Sequence, residues 1–139
     1  VTTTESSSFL LDTTTSVAIN DPLSGDNLLS EAESQFFLVF GTAESGATVD
    51  VTVTDGTNTL TGSTIANNAG IFRITFDVSS FNEGTIDITA DATDIAGNTA
   101  SDTHQVTLDT VQEPLVLQLL LQLIILFLIV NLQVLIFLE

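Results

Sequence analysis

Short segments in which apolar and polar residues alternate recur through most of this chain. Residues 71–78 read IFRITFDV and residues 85–92 read TIDITADA, so every second side chain is apolar. Shorter alternating segments lie at residues 17–19, 49–53 and 106–108. A period of two places the apolar side chains on one face of a β-strand, and Gly, Asn, Asp and Pro separate the segments at short intervals. The sequence therefore predicts an all-β fold, an antiparallel β-sandwich of about seven strands.

Two segments depart from this alternation. Residues 35–40 read QFFLVF, a denser apolar run that favours a central strand buried on both faces. Residues 27–34 read NLLSEAES, a short stretch that is compatible with a helix and from which we expect a single turn.

The chain is strongly acidic, and this limits what it can bind. Eighteen Asp and Glu residues stand against one Lys or Arg, which is Arg73, so the formal net charge is −17. Such a surface repels nucleic acid and anionic lipid, and it repels itself unless cations neutralise the carboxylates. The chain has no cysteine. Disulfides are therefore excluded, and a bound metal is another way to stabilise a small secreted domain.

A short motif occurs near both ends of the acidic body. Residues 9–13 read FLLDT and residues 106–110 read VTLDT, and Asp109 follows Asp12 by 97 positions. This spacing equals the length of one sandwich module, about 100 residues. The domains expected are the end of a preceding module or a linker at 1–12, one complete module at 13–110, and an apolar tail at 111–139.

Three segments of the body resemble bacterial Ig-like (BIg) repeats. Residues 90–100 read ADATDIAGNTA, residues 106–110 read VTLDT, and residues 25–33 read GDNLLSEAE. They are similar to motifs of tandem repeats in giant bacterial surface adhesins of the RTX and biofilm-associated type. The resemblance implies an Ig-like β-sandwich, an extracellular location on the bacterial cell surface, and neighbouring Ig-like modules as partners. It also implies calcium near module junctions, at the matching positions Asp26, Glu33, Asp94 and Asp109.

Acidic loop residues give a second reason to expect calcium. Ca²⁺ takes about six to eight oxygen ligands from carboxylates, carbonyls and water, and loops at strand ends carry such groups. The candidate metal ligands are Asp12, Asp26, Glu33, Asp91, Asp94, Asn98 and Asp109. For Asp94 and Asn98 the alternative is an ordinary turn, because Asp and Asn favour turns and Gly97 supplies positive φ. We expect Asp50, Asp77 and Asp87 to face solvent from outward strand positions.

The sequence gives little support to catalysis, and we expect no enzyme. His104 is the sole histidine, and we place it on the polar phase of an edge-like strand, at the surface. A catalytic triad needs a base with an orienting partner, and a phosphate site needs more than one cation. Arg73 is expected to pair with a carboxylate on a neighbouring strand, such as Asp87.

The last 25 residues differ sharply from the body. Residues 115–139 read LVLQLLLQLIILFLIVNLQVLIFLE, with no Ser, Thr, Ala, Gly, Lys or Arg. One interpretation is a transmembrane or helical anchor, because the run exceeds the roughly 20 apolar residues that span a bilayer. Against it, no Lys or Arg flanks the run and four amides interrupt it. A second interpretation is a strand that completes a neighbour's sheet in a filament, although Leu favours helix over strand.

The third interpretation, which we favour, is translation out of frame. Every residue in 115–139 has a codon whose middle base is T or A, as a one-base slip in a T- and A-ending gene would produce. Reversing the slip makes residues 119–129 compatible with a sequence like that of 13–24. Residues 138–139, Leu-Glu, also suit a cloning scar before a purification tag.

Together these observations predict a structural spacer or extender repeat of a bacterial cell-surface adhesin, rigidified by calcium at the module ends. The alternatives are a filament subunit assembled by strand complementation and a membrane-anchored surface domain. A membrane partner is expected only if the tail is a genuine anchor, and self-assembly would use residues 115–139.

Overall fold

The structure is a computed structural model of the chain, and it describes residues 3–4, 8–111 and 115–139. These residues form eight strands and two helices. In chain order they are β1 (Val17–Ile19), β2 (Leu28–Leu29), α1 (Glu31–Ser34), β3 (Phe37–Ala43), β4 (Thr48–Thr54), β5 (Thr59–Ile65), β6 (Ile71–Phe76), β7 (Gly84–Thr93), β8 (Thr99–Leu108) and α2 (Leu115–Phe137).

The strands form two sheets that face each other. One sheet has the order β1-β3-β6, and the other has the order β2-β8-β7-β4-β5. The pairings are antiparallel, except that the two-residue β2 runs parallel to β8. The all-β sandwich is confirmed, with a C-terminal helix added.

The core is built from the apolar phase of each strand. On β4, Val49, Val51 and Val53 are fully buried, while the residues between them are partly or fully exposed. The same phase continues in the paired β7 through Ile86 and Ile88. Burying each such side chain stabilises the fold by about 1.5–3 kcal/mol. The largest fully buried residues from the opposite sheet are Phe37, Phe72 and Val39, and Phe76 adds a nearly buried ring.

Close contact between the strands of the smaller sheet requires one glycine. A Cβ on Gly41 would lie 2.8 Å from a ring carbon of Phe72 and closer still to the carbonyl oxygen of Ala18. Gly41 thus lets β1 and the Phe72 ring approach the middle of β3 together.

The dense run at residues 35–40 is buried on one face only, so the prediction of a strand buried on both faces is wrong. Phe36 is 75% exposed and Leu38 is 39% exposed, whereas Phe37 and Val39 are buried. The reason is that no further layer covers the outer face of the β1-β3-β6 sheet within the described residues. The run is nevertheless central, since β3 lies between β1 and β6.

The helical turn expected within residues 27–34 is α1. Its first turn is closed by Glu33, whose Oε2 accepts hydrogen bonds from the backbone N–H and the hydroxyl of Ser30, at 3.0 and 2.6 Å. Ser30 and Glu33 thus occupy the N-cap and third positions of a capping box.

The tail forms the 23-residue helix α2, and its side chains are all exposed. By length and composition, α2 could cross a membrane, with a mean hydropathy of 2.7 over its most apolar window. Strand complementation needs an extended backbone, and the helical conformation does not provide one.

Candidate metal centre

Three chain segments meet at one end of the sandwich, because of how the strands pair. Val17 of β1 pairs with Ala43 of β3, so the segment before β1 and the turn after β3 lie at the same end. Thr48 pairs with Thr93, which brings the turn between β7 and β8 to that end as well. We call this end the N-terminal pole and define it by Asp12, Glu44, Asp94 and Asn98.

Three carboxylates converge at the N-terminal pole. One ligand oxygen from each of Asp12, Glu44 and Asp94 lies within 4.8 Å of the others. Asp94 is 6% exposed, Glu44 is half-buried and Asp12 is exposed, so the group extends from the module's interior to its surface. Each carboxylate comes from a different segment, so an ion bound by all three would link them.

Asn98 holds the Asp94 carboxylate in place from within the same turn. The backbone N–H of Asn98 donates to Oδ1 of Asp94 and its side-chain amide donates to Oδ2, both at 2.8 Å. The backbone N–H of Asp94 donates to the carbonyl of Asn98 at 3.0 Å, and Gly97 closes the turn with φ of +93°. The turn is thus a preformed support for one carboxylate.

The hydrogen bonds within this turn keep the Asp94 carboxylate ionised. Burial raises the pKa of Asp94, but hydrogen bonds from the side chain of Asn98 and from the backbone of Asn98, Gly97 and Ala96 together lower it below its ordinary value. A buried carboxylate that stays charged is available to a cation at neutral pH.

The segment that leads into the module is tied to the same turn. The side-chain amide of Asn98 also lies 3.3 Å from the backbone carbonyl oxygen of Asp12, to which it donates. The backbone N–H of Thr14 donates to Oδ1 of Asp12 at 3.4 Å. Asp12 therefore reaches the pole through its main chain as well as its carboxylate.

The donor set of the N-terminal pole fits calcium. Oxygens bound to one Ca²⁺ at about 2.3–2.6 Å lie within roughly 5 Å of each other, which agrees with the observed 4.8 Å. All the side-chain ligands are hard oxygen donors, which suit calcium or magnesium better than zinc or copper. Each Asp94 oxygen also accepts a hydrogen bond from Asn98, which fixes the direction in which the carboxylate points.

The structure brings together Asp12, Asp94 and Asn98 from the predicted ligand set. It adds Glu44, which the sequence reasoning missed. Glu44 opens the turn after β3, and only the pairing of β1 with β3 and of β4 with β7 places that turn beside Asp94. In sequence the one available signal was an acidic residue in a Glu-Ser-Gly turn at the end of an apolar run.

The other predicted ligands lie elsewhere. Oδ1 of Asp26 accepts from the backbone N–H of Leu28 at 3.0 Å, and Glu33 caps α1. Asp91 is exposed on β7, where it faces Asp50 and Ser101 on the adjacent strands. Asp109 follows β8 at its far end, about 35 Å from Asn98 along the strand.

Two carboxylates at that far end are already satisfied by protein donors. Asp55 accepts five hydrogen bonds of 2.6–3.0 Å from backbone and side-chain groups of Thr57, Asn58 and Asn82. These bonds, from the backbone of Asn58 first and of Asn82 next, hold the pKa of Asp55 far below its ordinary value. Glu83 likewise accepts from the hydroxyl and the backbone N–H of Thr110, which lowers its pKa. We call this the closed end of the module.

His104 does not lie on the polar phase of its strand, so that prediction is wrong. It shares the inward phase of Val106 on β8, and its side chain is only 17% exposed. Its Nε2 lies 2.9 Å from Oδ1 of Asn27 and 3.7 Å from Oδ1 of Asp21. The partners are a turn amide and a turn carboxylate, and His104 holds the loop between β1 and β2.

Arg73 does not neighbour Asp87. Arg73 lies on β6, which pairs with β3, whereas Asp87 lies on β7 in the other sheet. Asp87 accepts instead from the side-chain amide of Gln105 at 2.5 Å. The prediction of an Arg73–Asp87 pair is wrong because it assumed that strands 71–78 and 85–92 were sheet neighbours.

Known proteins similar to this chain were found in two comparisons. A family model described as bacterial Ig domain matches residues 25–109. The crystal structure of a tetra-tandem repeat in the extending region of a large adhesion protein is 29% identical with a TM-score of 0.53, over 68% of this chain and 24% of that chain. A bacterial immunoglobulin-like domain from the M. primoryensis ice-binding adhesin is 22% identical with a TM-score of 0.42, over 70% of this chain and 97% of that chain.

A third solved structure is a Ca²⁺-stabilized adhesin that helps an Antarctic bacterium reach out and bind ice, 21% identical with a TM-score of 0.43, over 73% of this chain and 25% of that chain. No curated protein matches this chain. The chain spans about a quarter of the tetra-tandem repeat structure. The family model covers more than half of the 139 residues, including the segments at 25–33 and 90–100 that carry the resemblance. The chain is therefore a member of the bacterial Ig domain family.

Proposed function

We propose that residues 13–110 form one extender module of a bacterial cell-surface adhesin, and that calcium at the N-terminal pole stiffens its junction with the preceding module. The observation that carries the proposal is the convergence of Asp12, Glu44 and Asp94 within 4.8 Å, from three separate segments. The likeness to a repeat from the extending region of a large adhesion protein supports the extender role. An extracellular location on the cell surface follows from that role.

The mechanical role follows from where the three carboxylates lie. Asp94 and Glu44 belong to turns between strands of the sandwich, while Asp12 belongs to the segment that leads into β1. A bound Ca²⁺ would offset two of the three negative charges of these carboxylates. Such an ion would add a second tie between Asp12 and the two turns, beside the hydrogen bond from Asn98, and so restrict bending at the junction.

The charge of the chain supports a need for cations. With a formal charge of −17, the folded module repels itself, and a tandem array of such modules would repel itself further. A divalent cation at each junction lowers this repulsion where it is greatest. The same charge disfavours nucleic acid and other polyanions as partners.

Direct measurement of calcium binding tests the proposal. Isothermal titration of the full chain in mild detergent is expected to show one calcium per chain, with binding abolished in Asp94→Ala. Asp91→Asn is a matched control, because Asp91 is a predicted ligand that lies three residues away and outside the N-terminal pole. No heat of calcium binding in the parent chain, or equal binding in Asp94→Ala, would contradict the proposal.

A further inference from the structure

The helix α2 is exposed over its whole circumference, and this distinguishes it from helices that dock into protein grooves. A docking helix has one apolar stripe and one polar face. In α2, 19 of the 23 residues are Leu, Ile, Val or Phe, and none is charged. Its large apolar side chains are 45–90% exposed on all sides. A groove could cover only part of this surface, whereas lipid would cover all of it.

The length of α2 fits the apolar core of a bilayer. At 1.5 Å per residue, its 23 residues extend for about 35 Å. The hydrocarbon core of a bilayer is about 30 Å thick, so α2 crosses it with a modest tilt. All backbone groups in the middle of a helix are hydrogen-bonded within it, as lipid requires.

Four amide side chains interrupt the apolar surface, and three of them share one face. At 100° per residue, Gln118, Gln122 and Gln133 fall within about 60° of each other around the helix axis. Asn131 lies on the other side, about 180° from Gln122. In hydrocarbon an amide finds a partner most readily on another helix, and Gln side chains hydrogen-bond between transmembrane helices.

We propose that α2 crosses a lipid bilayer and pairs in parallel with α2 of a second copy of this chain through Gln118, Gln122 and Gln133. In a symmetric parallel pair each of these residues meets its own counterpart, so the amide donors and acceptors are matched. The proposal concerns this polypeptide itself, whatever reading frame encoded its tail. It is independent of calcium and of the extender role.

The driving force is burial of apolar surface and not charge. The helix and its flanking residue Glu139 carry no cation, and the body is strongly acidic. Insertion therefore needs no anionic lipid, and anionic lipid would oppose the approach of the body. This distinguishes α2 from basic amphipathic helices that lie on anionic membrane surfaces.

Insertion is tested with the full chain and phosphatidylcholine vesicles. On a density gradient the parent chain is expected to float with the vesicles and to remain bound in 4 M urea, and oriented circular dichroism should show α2 near the membrane normal. Leu126→Lys places a charge at the middle of α2 and should lower the floated fraction at least fivefold. Leu138→Lys places the same charge just beyond the helix and should not. A parent chain that stays at the bottom, an α2 that lies in the membrane plane, or equal flotation of both variants would overturn the span.

Pairing is tested in the same vesicles by fluorescence energy transfer. Because the chain has no cysteine, Leu138→Cys gives a single site for donor and acceptor dyes at the end of α2. Energy transfer above the level of randomly mixed labelled lipid is expected, and the triple change Gln118→Leu, Gln122→Leu and Gln133→Leu should reduce it to that level. Asn131→Leu removes an amide from the opposite side and should leave it unchanged. Random transfer in the parent chain, or equal transfer in the triple variant, would overturn the pairing.

Discussion

Oδ2 of Asp102 accepts a hydrogen bond from the backbone N–H of Ile19 at 2.7 Å, and this bond joins the two sheets at one side of the sandwich. Asp102 lies on β8, and Ile19 lies on β1, an edge strand of the other sheet. An edge strand has backbone N–H groups without partners in its own sheet. Asp102 satisfies one of these groups, so a polar residue on the inward phase of β8 holds β1 in place.

Removing this acceptor should destabilise the module. Asp102→Ala leaves the N–H of Ile19, which is 8% exposed, without its partner. A hydrogen bond of this kind contributes on the order of 1 kcal/mol once partial solvent exposure of the carboxylate is considered. Urea unfolding should show this loss, and Ser101→Ala, on the outer face of the same strand, should change the free energy of unfolding by less than about 0.5 kcal/mol. Equal effects of the two changes would contradict a bridging role for Asp102.

Calcium should raise the melting temperature of the parent chain relative to EDTA. A ligand that binds only the folded state adds about 2.7 kcal/mol of stability at a free concentration 100 times its dissociation constant. For a body of about 100 residues this corresponds to a rise on the order of 10 °C or more. Differential scanning fluorimetry of Asp94→Ala should show no rise, whereas Asp91→Asn should retain it. A melting temperature that is the same in calcium and in EDTA would rule out this stabilisation.

Acid should remove the contribution of Asp55. The folded-state pKa of Asp55 is far below its ordinary value, so the unfolded chain takes up a proton first as the pH falls. The contribution is therefore complete at neutral pH, where both states are ionised, and it declines once the pH drops below about 4, the ordinary pKa of Asp. Asp55→Asn should melt below the parent at pH 7, and the difference should shrink between pH 4 and pH 2.

Asp50→Asn is the control for this pH series, because it also removes one negative charge from an exposed position. Its carboxylate faces Asp91 on the adjacent strand, so its removal should not lower the melting temperature. A difference between Asp55→Asn and the parent that stays constant from pH 7 to pH 2 would contradict the role given to the Asp55 carboxylate.

Two adjacent leucines on β2 should respond very differently to truncation. Leu29 is fully buried, whereas Leu28 is 44% exposed. Leu29→Ala should cost about 2–5 kcal/mol of unfolding free energy, because it removes core contacts and leaves a cavity. Leu28→Ala should cost less than about 1 kcal/mol. Chemical denaturation of the two variants checks the register of β2 against β8, since a shift by one residue would exchange their effects.

The alternation of residues was enough to predict the sandwich and six of its eight strands, since period two fixes which side chains share a face, but it did not indicate β2 or β5. It could not indicate what covers each face. Residues 35–40 are apolar on both phases, yet only the phase of Phe37 and Val39 meets the opposite sheet. On β8 the inward phase carries Asp102 and His104, because their part of the strand lies at the open side of the sandwich, near the short β1 and the loop that follows it.

The candidate metal centre could be predicted only in part, because local sequence patterns reveal a turn but do not reveal which turns the strand pairing brings together. The Asp94–Asn98 turn has a local signature, and its internal hydrogen bonds follow from that sequence. Glu44 lies 50 positions before Asp94 and joins it only through the pairing of strands, which local patterns do not encode. Asp26, Glu33 and Asp109 come from the family resemblance, and the structure places them away from the N-terminal pole.

The two ends of the module differ in a way that gives an array of such modules a direction. At the closed end, the carboxylates of Asp55 and Glu83 are occupied by hydrogen bonds from protein donors. At the N-terminal pole, three carboxylates converge closely enough to share one cation. In a head-to-tail array each junction would therefore place the closed end of one module against the N-terminal pole of the next. The extended length of the array would then depend on the cation concentration of the surrounding solution.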